Sequence, residues 1–316
     1  MSVGQRERVR KLAQLRGEGL WATAVYLMRT AFRLVPTNLI DPAHFADLKI
    51  AETGLDGPLA FVRLENGRLF YSYPSSAARV RQYWMIRDKV PPVIKADTFG
   101  AVVDVVYRFM GLGSPDNDFL PGEGGVIIEA GAFIGLKALR YAERVGPSGR
   151  VIAVEIDRFN YETMCRNVAA SGLQDVVTCV HAGIWNAEGR AQAGNRGYQT
   201  HSLVDLDGSR SDALGQVETV SVSGLIDRFG LDRVDYLNLQ VNGAEIEALD
   251  GCLRHVDRIT AYNVATGYAR DGQPLQPQVL AWFAARGIEA SPHPDWPDLI
   301  VARRCGAEQR PAGGRS

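Results

Sequence analysis

Two acidic residues and two glycines form the pattern in this sequence that is best suited to binding a small molecule. Glu129 ends a short apolar run, Gly131 follows two residues later, and Gly135 opens the next helical segment. Glycines at such a junction allow a tight turn and a close approach of the backbone to a ligand. Glu155 ends the next apolar run, where an acid can accept hydrogen bonds from both hydroxyls of a ribose. The pattern therefore predicts a nucleoside site at the ends of two strands.

The order of these residues differs from that of dinucleotide sites. Dinucleotide-binding turns read Gly-x-Gly-x-x-Gly, and their glycines make room for a pyrophosphate at a helix N-terminus. A leading acid, here Glu129, instead suits a ligand that carries an ammonium group and no phosphate, as S-adenosyl-L-methionine does. The predicted cofactor-binding residues are Glu129, Gly131, Ala132, Phe133, Gly135, Glu155 and Ile156, with His181, Ala182 and Gly183 bordering the adenine.

The residues of this predicted site lie within a regular alternation of strands and helices. From Gly125 onward, apolar runs predict strands over 126–129, 150–155, 176–181, 234–241, 259–264 and 298–303, and helices between them. Such alternation indicates a mainly parallel sheet with helices on both faces, so the predicted fold class is α/β. The polar segment from Asn195 to Gly215 interrupts the alternation and is predicted to be a loop that covers the site.

The first 97 residues do not follow this alternation and are predicted to be a separate extension. Two β-forming runs flank Asn66-Gly67, a dipeptide that accepts the positive φ values of a tight turn, so a β-hairpin is predicted over 59–73. Ser75 or Ser76 then caps a predicted helix. The predicted layout is an extension over 1–97, a binding domain over 98–305 and a disordered tail over 306–316.

Residues 1–35 are basic and have the pattern of an amphipathic helix. They contain seven arginines and lysines against two glutamates, and from Leu20 onward apolar residues recur every three or four positions until Pro36. Two interpretations remain open. The helix either packs on the domain or lies peripherally on an anionic membrane surface, where basic flanks and a Trp/Phe face both favour binding.

The composition is that of an ordinary folded protein. Of 316 residues, 46% are hydrophobic and 22% charged, and the 35 basic and 36 acidic residues leave a net charge of −1, which gives no chain-wide attraction for nucleic acid. The four cysteines are scattered without metal-ligand spacing, which favours reduced thiols in the cytoplasm. No uncharged apolar stretch is long enough to span a membrane.

From Thr98 to Arg304 the sequence resembles the FkbM-type S-adenosylmethionine-dependent methyltransferase family. The matching stretches are the turn from Glu129 to Gly135, Glu155, residues 217–222 and residues 236–245. The resemblance implies a class I methyltransferase fold, which is Rossmann-like and has a mainly parallel seven-stranded sheet. It also implies O-methylation, typically of a sugar or natural-product hydroxyl, so the expected acceptor is a small molecule such as a secondary metabolite, a glycan, or a lipid-linked acceptor such as a glycolipid.

The sequence departs from the family pattern at several polar positions. Where the family usually has lysine, aspartate and glutamate, this chain has Asn238, Gln240 and Asn242, and Asn263 stands where a glutamate is common. Hard divalent cations prefer anionic oxygen ligands, so these amides predict a metal-independent reaction. They also remove the family's obvious general base.

Four other residues are candidates for the base that a hydroxyl acceptor needs. They are His201, His181, Glu245 and Asp235, and His201 is preferred because it titrates near neutral pH and lies in the predicted covering loop. Gln240 is the candidate for orienting the acceptor or the methionine part of the donor through its amide. An exposed loop histidine without a catalytic role is the alternative interpretation of His201.

Three hypotheses about function follow from these patterns. The first is an active methyltransferase that acts on a hydroxyl. The second is a binding or scaffold protein of the same fold, with the donor pocket retained and catalysis altered. The third, a nicotinamide-dependent dehydrogenase, is disfavoured by the order of the acid and the glycines.

Overall fold

The computed structural model describes residues 45, 47–111, 119–195, 203, 212–270 and 272–304. The predicted helix over 1–35, the predicted tail over 306–316 and His201 lie outside these residues. None of the described helices has the length and apolar character needed to cross a bilayer.

The N-terminal part of the described chain is a three-stranded antiparallel sheet followed by two helices. The strands are β1 (Ile50–Asp56), β2 (Leu59–Leu64) and β3 (Leu69–Ser72), and the helices are α1 (Ala77–Ile86) and α2 (Phe99–Asp104). The predicted hairpin over 59–73 is confirmed, with Gly67 at a φ of 86° in the turn. Ser76 caps α1 by accepting the backbone N–H of Arg79 at 3.3 Å.

The remaining elements include all six predicted strands, as well as strands outside the apolar runs. They are β4 (Val126–Ala130), α3 (Leu136–Val145), β5 (Arg150–Glu155), α4 (Arg158–Ala170), β6 (Val177–His181), β7 (Gly183–Ile184), β8 (Gly189–Asn195), β9 (Asp212–Val220), α5 (Val222–Arg228), β10 (Val234–Leu239), α6 (Glu245–Asp250), β11 (Ile259–Ala265), β12 (Ala269–Arg270), β13 (Gln273–Pro274), α7 (Leu275–Ala284), β14 (Glu289–Pro292) and β15 (Leu299–Arg303).

A seven-stranded sheet forms the centre of the fold, in the order β14-β15-β11-β10-β4-β5-β6. The five strands from β11 to β6 are parallel, and β15 and β14 are antiparallel to their neighbours. This confirms the predicted mainly parallel sheet with seven strands. The carboxyl ends of β4, β5, β6 and β10 lie at one edge of the sheet, which is where open α/β sheets bind ligands.

Each face of the sheet packs against its own set of helices. Ile127, Val151 and Tyr236 belong to one buried cluster, which also contains residues of α3 and α4. The alternate strand residues, such as Ile128 and Leu237, belong to a second cluster with α5, α6 and α7. The first cluster also contains residues of β2 and β3, so the N-terminal sheet shares a hydrophobic core with the central sheet.

Two segments differ from the sequence-based expectation. The predicted loop from Asn195 to Gly215 begins and ends in strands, because β8 and β9 pair antiparallel from Gly189 opposite Thr219 to Asn195 opposite Asp212. These strands contain many small and polar residues, so they show no apolar pattern in the sequence. They still pair, because the hydrogen bonds of a strand ladder are made by the backbone. The helix predicted between 234–241 and 259–264 is also interrupted, since α6 ends at Asp250 and a 3-10 segment follows.

Candidate active site

The turn between β4 and α3 has the backbone conformation that its glycines allow. Gly131 and Gly135 have φ values of 82° and 79°, and Phe133 between them has a φ of 54°. A Cβ atom on Gly131 would overlap the carbonyl oxygen of Gln240, and one on Gly135 would lie 2.6 Å from Cγ of Met164. The glycines are therefore needed to pack this turn against two neighbouring elements of the protein itself.

The two predicted acids lie on adjacent strands and on the same face of the sheet. Glu129 on β4 pairs with Ala153 on β5, so Glu155 is two residues further toward the carboxyl edge. By strand alternation both side chains point to the face that α3 and α4 cover. Two residues correspond to about 7 Å along a strand. Both carboxyl groups are almost fully buried, with exposed fractions of 2% and 5%.

Glu155 is held by three hydrogen bonds. Its Oε2 accepts the backbone N–H of Phe133 at 2.8 Å, and its Oε1 accepts the backbone N–H of Asp157 at 3.0 Å and Nδ2 of Asn160 at 3.4 Å. Burial raises the pKa of Glu155 to about 7, and these three donors oppose the rise. Asp157 is also the N-cap of α4, since its Oδ1 accepts the backbone N–H of Asn160.

The hydrogen-bonding capacity of Glu155 fits a ribose. A carboxylate offers about four acceptor positions, and the three bonds to Phe133, Asp157 and Asn160 leave one position on Oε2. One ribose hydroxyl fits that position directly. With the bond from Asn160 in place, Glu155 can therefore accept one ribose hydroxyl, and not both as the sequence suggested.

The end of β6 borders the same place. Glu155 pairs in register with His181, whose ring is exposed and stacks on Tyr161 with a centroid distance of 5.0 Å. The side chains of Ile156 and Leu203 both lie against Gly183. A Cβ atom added to this glycine would be 3.0 Å from Ile156 and 2.9 Å from Leu203. Ile156, Gly183 and Leu203 thus form an apolar surface beside Glu155. The sequence analysis did not single out Leu203.

The sequence departs from the family pattern at four amide residues, and two of these lie inside the sheet. Asn238 and Asn263 are fully buried and pair in register on β10 and β11, and Nδ2 of Asn263 donates to Oδ1 of Asn238 at 2.9 Å. Asn238 also pairs in register with Glu129. A row of polar side chains therefore crosses three strands, and only Glu129 in this row carries an ionisable group.

The other two amides lie in the loop after β10. Gln240 is half-buried, and its backbone N–H donates to the carbonyl oxygen of Ala130 at 3.0 Å, directly beside the Gly131 turn. Asn242 has a φ of 55°, and its Oδ1 accepts the hydroxyl of Tyr268 at 2.5 Å. Gln240 is thus the amide that lies next to the predicted donor site.

Two of the proposed bases have structural partners that argue against a role in proton transfer. Glu245 is fully buried, and its oxygens accept the backbone N–H groups of Val241 at 3.1 Å and Gly243 at 2.8 Å, which closes the loop before α6. Asp235 lies at the start of β10, and its Oδ2 accepts the backbone N–H of Val126 at the opposite end of the strands. Asp235 is therefore not a base for this site.

Besides Leu203, three residues of the site were not predicted, namely Tyr73, Asn160 and Asn167. The hydroxyl of Tyr73, just after β3, donates to Oδ1 of Asn160 at 2.6 Å, and Asn167 of α4 bonds to the backbone of the turn and of β3. Asn160 and Asn167 are seven residues apart and so lie on one face of α4. The sequence therefore contained a signal for this polar face of α4, namely the seven-residue spacing of the two asparagines.

No group of three His, Cys, Asp or Glu side chains in the described part of the chain is arranged to hold a metal ion.

The methyltransferase FkbM domain model matches residues 129–289 of the chain. The search of curated proteins found no match to the chain. Solved structures that are similar to the chain, all at low identity, include the methyltransferase FkbM from Methylobacillus flagellatus, with 15% identity, coverage of 73% of this chain and 72% of that one, and a TM-score of 0.39. An S-adenosylmethionine-dependent O-methyltransferase from Thermotoga maritima has 17% identity, coverage of 78% of both chains and a TM-score of 0.34. The Aeropyrum pernix fibrillarin with bound S-adenosyl-L-methionine has 11% identity, coverage of 81% of this chain and 100% of that one, and a TM-score of 0.38.

Proposed function

The chain belongs to the FkbM methyltransferase family, whose methyl donor is S-adenosyl-L-methionine, and we propose that it methylates a hydroxyl of a glycan, a glycolipid or a secondary metabolite. The observation that carries the proposal is the pair of buried acids, Glu129 and Glu155, on adjacent parallel strands beside the Gly131–Gly135 turn. In the proposal, Glu129 serves the amine of the donor and Glu155 serves its ribose.

In this proposal the donor is held by residues at the ends of three strands. Glu129 faces the ammonium group, Glu155 accepts from the ribose, and Ala132 and Phe133 supply the backbone of the turn. Ile156, Ala182 and Gly183 border the adenine, with the exposed ring of His181 at their rim. These assignments are supported by the register of β4, β5 and β6, which brings these residues to one edge of the sheet.

The chemistry requires little beyond positioning. When bound, the cofactor supplies a methyl group that is already activated by a sulfonium, so the protein holds the acceptor oxygen in line and excludes water. Gln240, beside the turn, orients the acceptor or the methionine part of the donor through its amide. We assign the proton of the acceptor hydroxyl to His201, because the carboxylate of Glu245 is buried and closes its own loop.

The proposed reaction does not use a divalent metal. Asn238 and Asn263 form a buried amide pair, and Asn242 accepts from Tyr268, so three positions at which relatives carry ionisable groups are neutral here. Amides bind hard cations more weakly than carboxylates do. The same amides favour the second candidate function, a protein that binds the donor without turnover.

Two features support peripheral contact with an anionic membrane, where lipid-linked acceptors are found. Residues 1–35 carry an excess of five positive charges. On α1, Trp84 and Met85 are 55% and 62% exposed, and the exposed Arg81 and Arg87 flank them. Exposed aromatic and basic side chains together favour the interface of an anionic bilayer.

Calorimetric titration with S-adenosylmethionine and, separately, NAD tests the donor. We expect the first to bind and the second not to bind, and the reverse would overturn the proposal. Release of S-adenosylhomocysteine with a panel of envelope lipids, glycans and small hydroxylated metabolites, in the presence of EDTA, then tests turnover. Binding without release for any acceptor would favour the second candidate function, and loss of turnover in EDTA would contradict the metal-independent reaction.

A further inference from the structure

The N-terminal hairpin is attached to the donor site by side chains as well as by hydrophobic packing. Asn167 of α4 is fully buried, and its Oδ1 accepts the backbone N–H of Tyr71 at 2.6 Å. Its Nδ2 donates to the carbonyl oxygens of Tyr71 at 2.9 Å and of Ile134 at 2.8 Å. One side chain thus connects β3 to the turn that follows β4.

A second connection reaches Glu155 itself. The hydroxyl of Tyr73 donates to Oδ1 of Asn160 at 2.6 Å, and Nδ2 of the same amide donates to Oε1 of Glu155 at 3.4 Å. An amide whose oxygen is fixed by a donor has its nitrogen fixed in the opposite direction. The Glu155 carboxylate, which only accepts, selects the NH₂ end of the Asn160 amide, and the Tyr73 hydroxyl holds the other end in place.

The ring of Tyr73 acts on the other side of the same carboxylate. It stacks on the ring of Phe133 with a centroid distance of 5.9 Å and an interplanar angle of 16°. The backbone N–H of Phe133 donates to Oε2 of Glu155 at 2.8 Å, and Phe133 keeps a positive φ of 54°. A non-glycine residue in this conformation persists only where its surroundings hold it, and Tyr73 is part of those surroundings.

We propose that Tyr73 is a positioning residue for the methyl donor, acting through Asn160 and Phe133 on the Glu155 carboxylate. The proposal rests on the proposed function of Glu155 as the ribose acceptor. It makes the N-terminal hairpin part of the donor site, although the family match begins only at residue 129.

A pH profile separates this role from simple packing. The bond from Asn160 lowers the pKa of Glu155, so a freely rotating amide lets that pKa rise. Since the ribose needs the ionised acid, the midpoint of donor binding then moves to higher pH. A side chain that merely fills space would change the stability of the protein and leave this midpoint in place.

The test is calorimetric titration of the full chain with S-adenosylmethionine from pH 5.5 to 8.5. Tyr73→Phe keeps the ring and removes only the hydroxyl. We expect the donor to bind about three- to tenfold more weakly at pH 7, and the midpoint of donor binding to lie about half a pH unit higher. Both changes are of the size expected for one lost hydrogen bond. Tyr71→Phe is the matched control, because that tyrosine lies in the same hairpin but faces Arg166, whose guanidinium is 3.8 Å from its ring.

Asn160→Ala provides the second variant. It should reproduce the shift, and the double variant Tyr73→Phe/Asn160→Ala should shift no further than Asn160→Ala alone, since both changes remove the same bond. An unchanged midpoint in both single variants, or additive shifts in the double variant, would overturn the proposal. If the unmodified protein does not bind the donor at all, the proposed function fails instead, and the two failures are thereby distinguished.

Discussion

The carboxylate of Glu155 accepts the backbone N–H of Phe133 at 2.8 Å, so the acid at the end of β5 fastens the turn that follows β4. Held in this position, the turn packs directly against the backbone of Gln240 in the loop after β10. Three strand ends are therefore linked around one buried acid. Changes at any of them are expected to affect donor binding.

Replacing Glu155 tests the centre of this arrangement. Glu155→Gln keeps the shape but places an NH₂ group against one or two N–H donors, so we expect donor affinity to fall about 10- to 100-fold. Isothermal titration with S-adenosylmethionine measures the loss. Glu162→Gln is the control, because that acid lies on α4 with an exposed ion pair to Arg158. Equal affinities of the two variants would remove Glu155 from the site.

The affinity for the donor should depend on pH around neutrality. Burial raises the pKa of Glu155 to about 7, and only the ionised acid offers all its acceptor positions to a ribose. We therefore expect the affinity to increase as the pH rises from 6 to 8. Titrations in buffers of different ionisation enthalpy should also detect proton release on binding near pH 7. A flat profile would contradict the assignment.

Gly131→Ala should disrupt the turn for two separable reasons. The added Cβ overlaps the carbonyl oxygen of Gln240, and the residue has a φ of 82°. Gly172→Ala is a matched control, since Gly172 has a φ of 65° but nothing within 4 Å of the new Cβ. The control should cost about 1 kcal/mol of unfolding free energy, the penalty for a left-handed alanine. Urea denaturation should show a larger loss for Gly131→Ala, and equal losses would show that the contact with Gln240 is easily relieved.

Glu245 should affect stability more than proton transfer. Its pKa is raised to about 7 by burial, above the unfolded value of 4.5, so its favourable contribution is complete below pH 4.5 and is lost as the pH rises through about 7. Glu245→Gln should flatten this decline and cost about 1 to 3 kcal/mol, because one backbone N–H loses its acceptor. Urea denaturation at pH 5 to 8 measures both effects. A variant of full stability that has lost turnover would instead identify Glu245 as a catalytic acid or base.

Contact with membranes can be tested on the described residues of α1 and on the N-terminal segment separately. Trp84→Ser/Met85→Ser should weaken binding to anionic vesicles severalfold, and removal of residues 1–35 should abolish it. Leu253→Ser is the control, because Leu253 is also exposed, at 46%, but lies outside α1. Co-sedimentation with anionic and with neutral vesicles gives the readout. Absence of vesicle binding by the full-length protein would contradict the proposed contact.

Much of the central fold could be predicted because its strands are buried on both faces. Continuous apolar runs such as 150–155 became strands at those residues, and Glu155 came to the carboxyl edge as expected. The strands β8 and β9 could not be predicted, because small and polar residues satisfy a backbone ladder as well as apolar ones do. The hydrogen-bond partners of Glu245 could not be predicted either, because they are backbone N–H groups, which have no signature in the sequence.

The connection from Tyr73 and Asn167 to the turn has a consequence for how such chains can be recombined. A crossover point between the hairpin and β4 would join a foreign residue 73 to the native α4, and without a tyrosine there the Asn160 amide would lose the hydroxyl that donates to it. Chimeras that exchange acceptor preference between relatives should therefore keep the segment from Phe45 onward together with its own methyltransferase core.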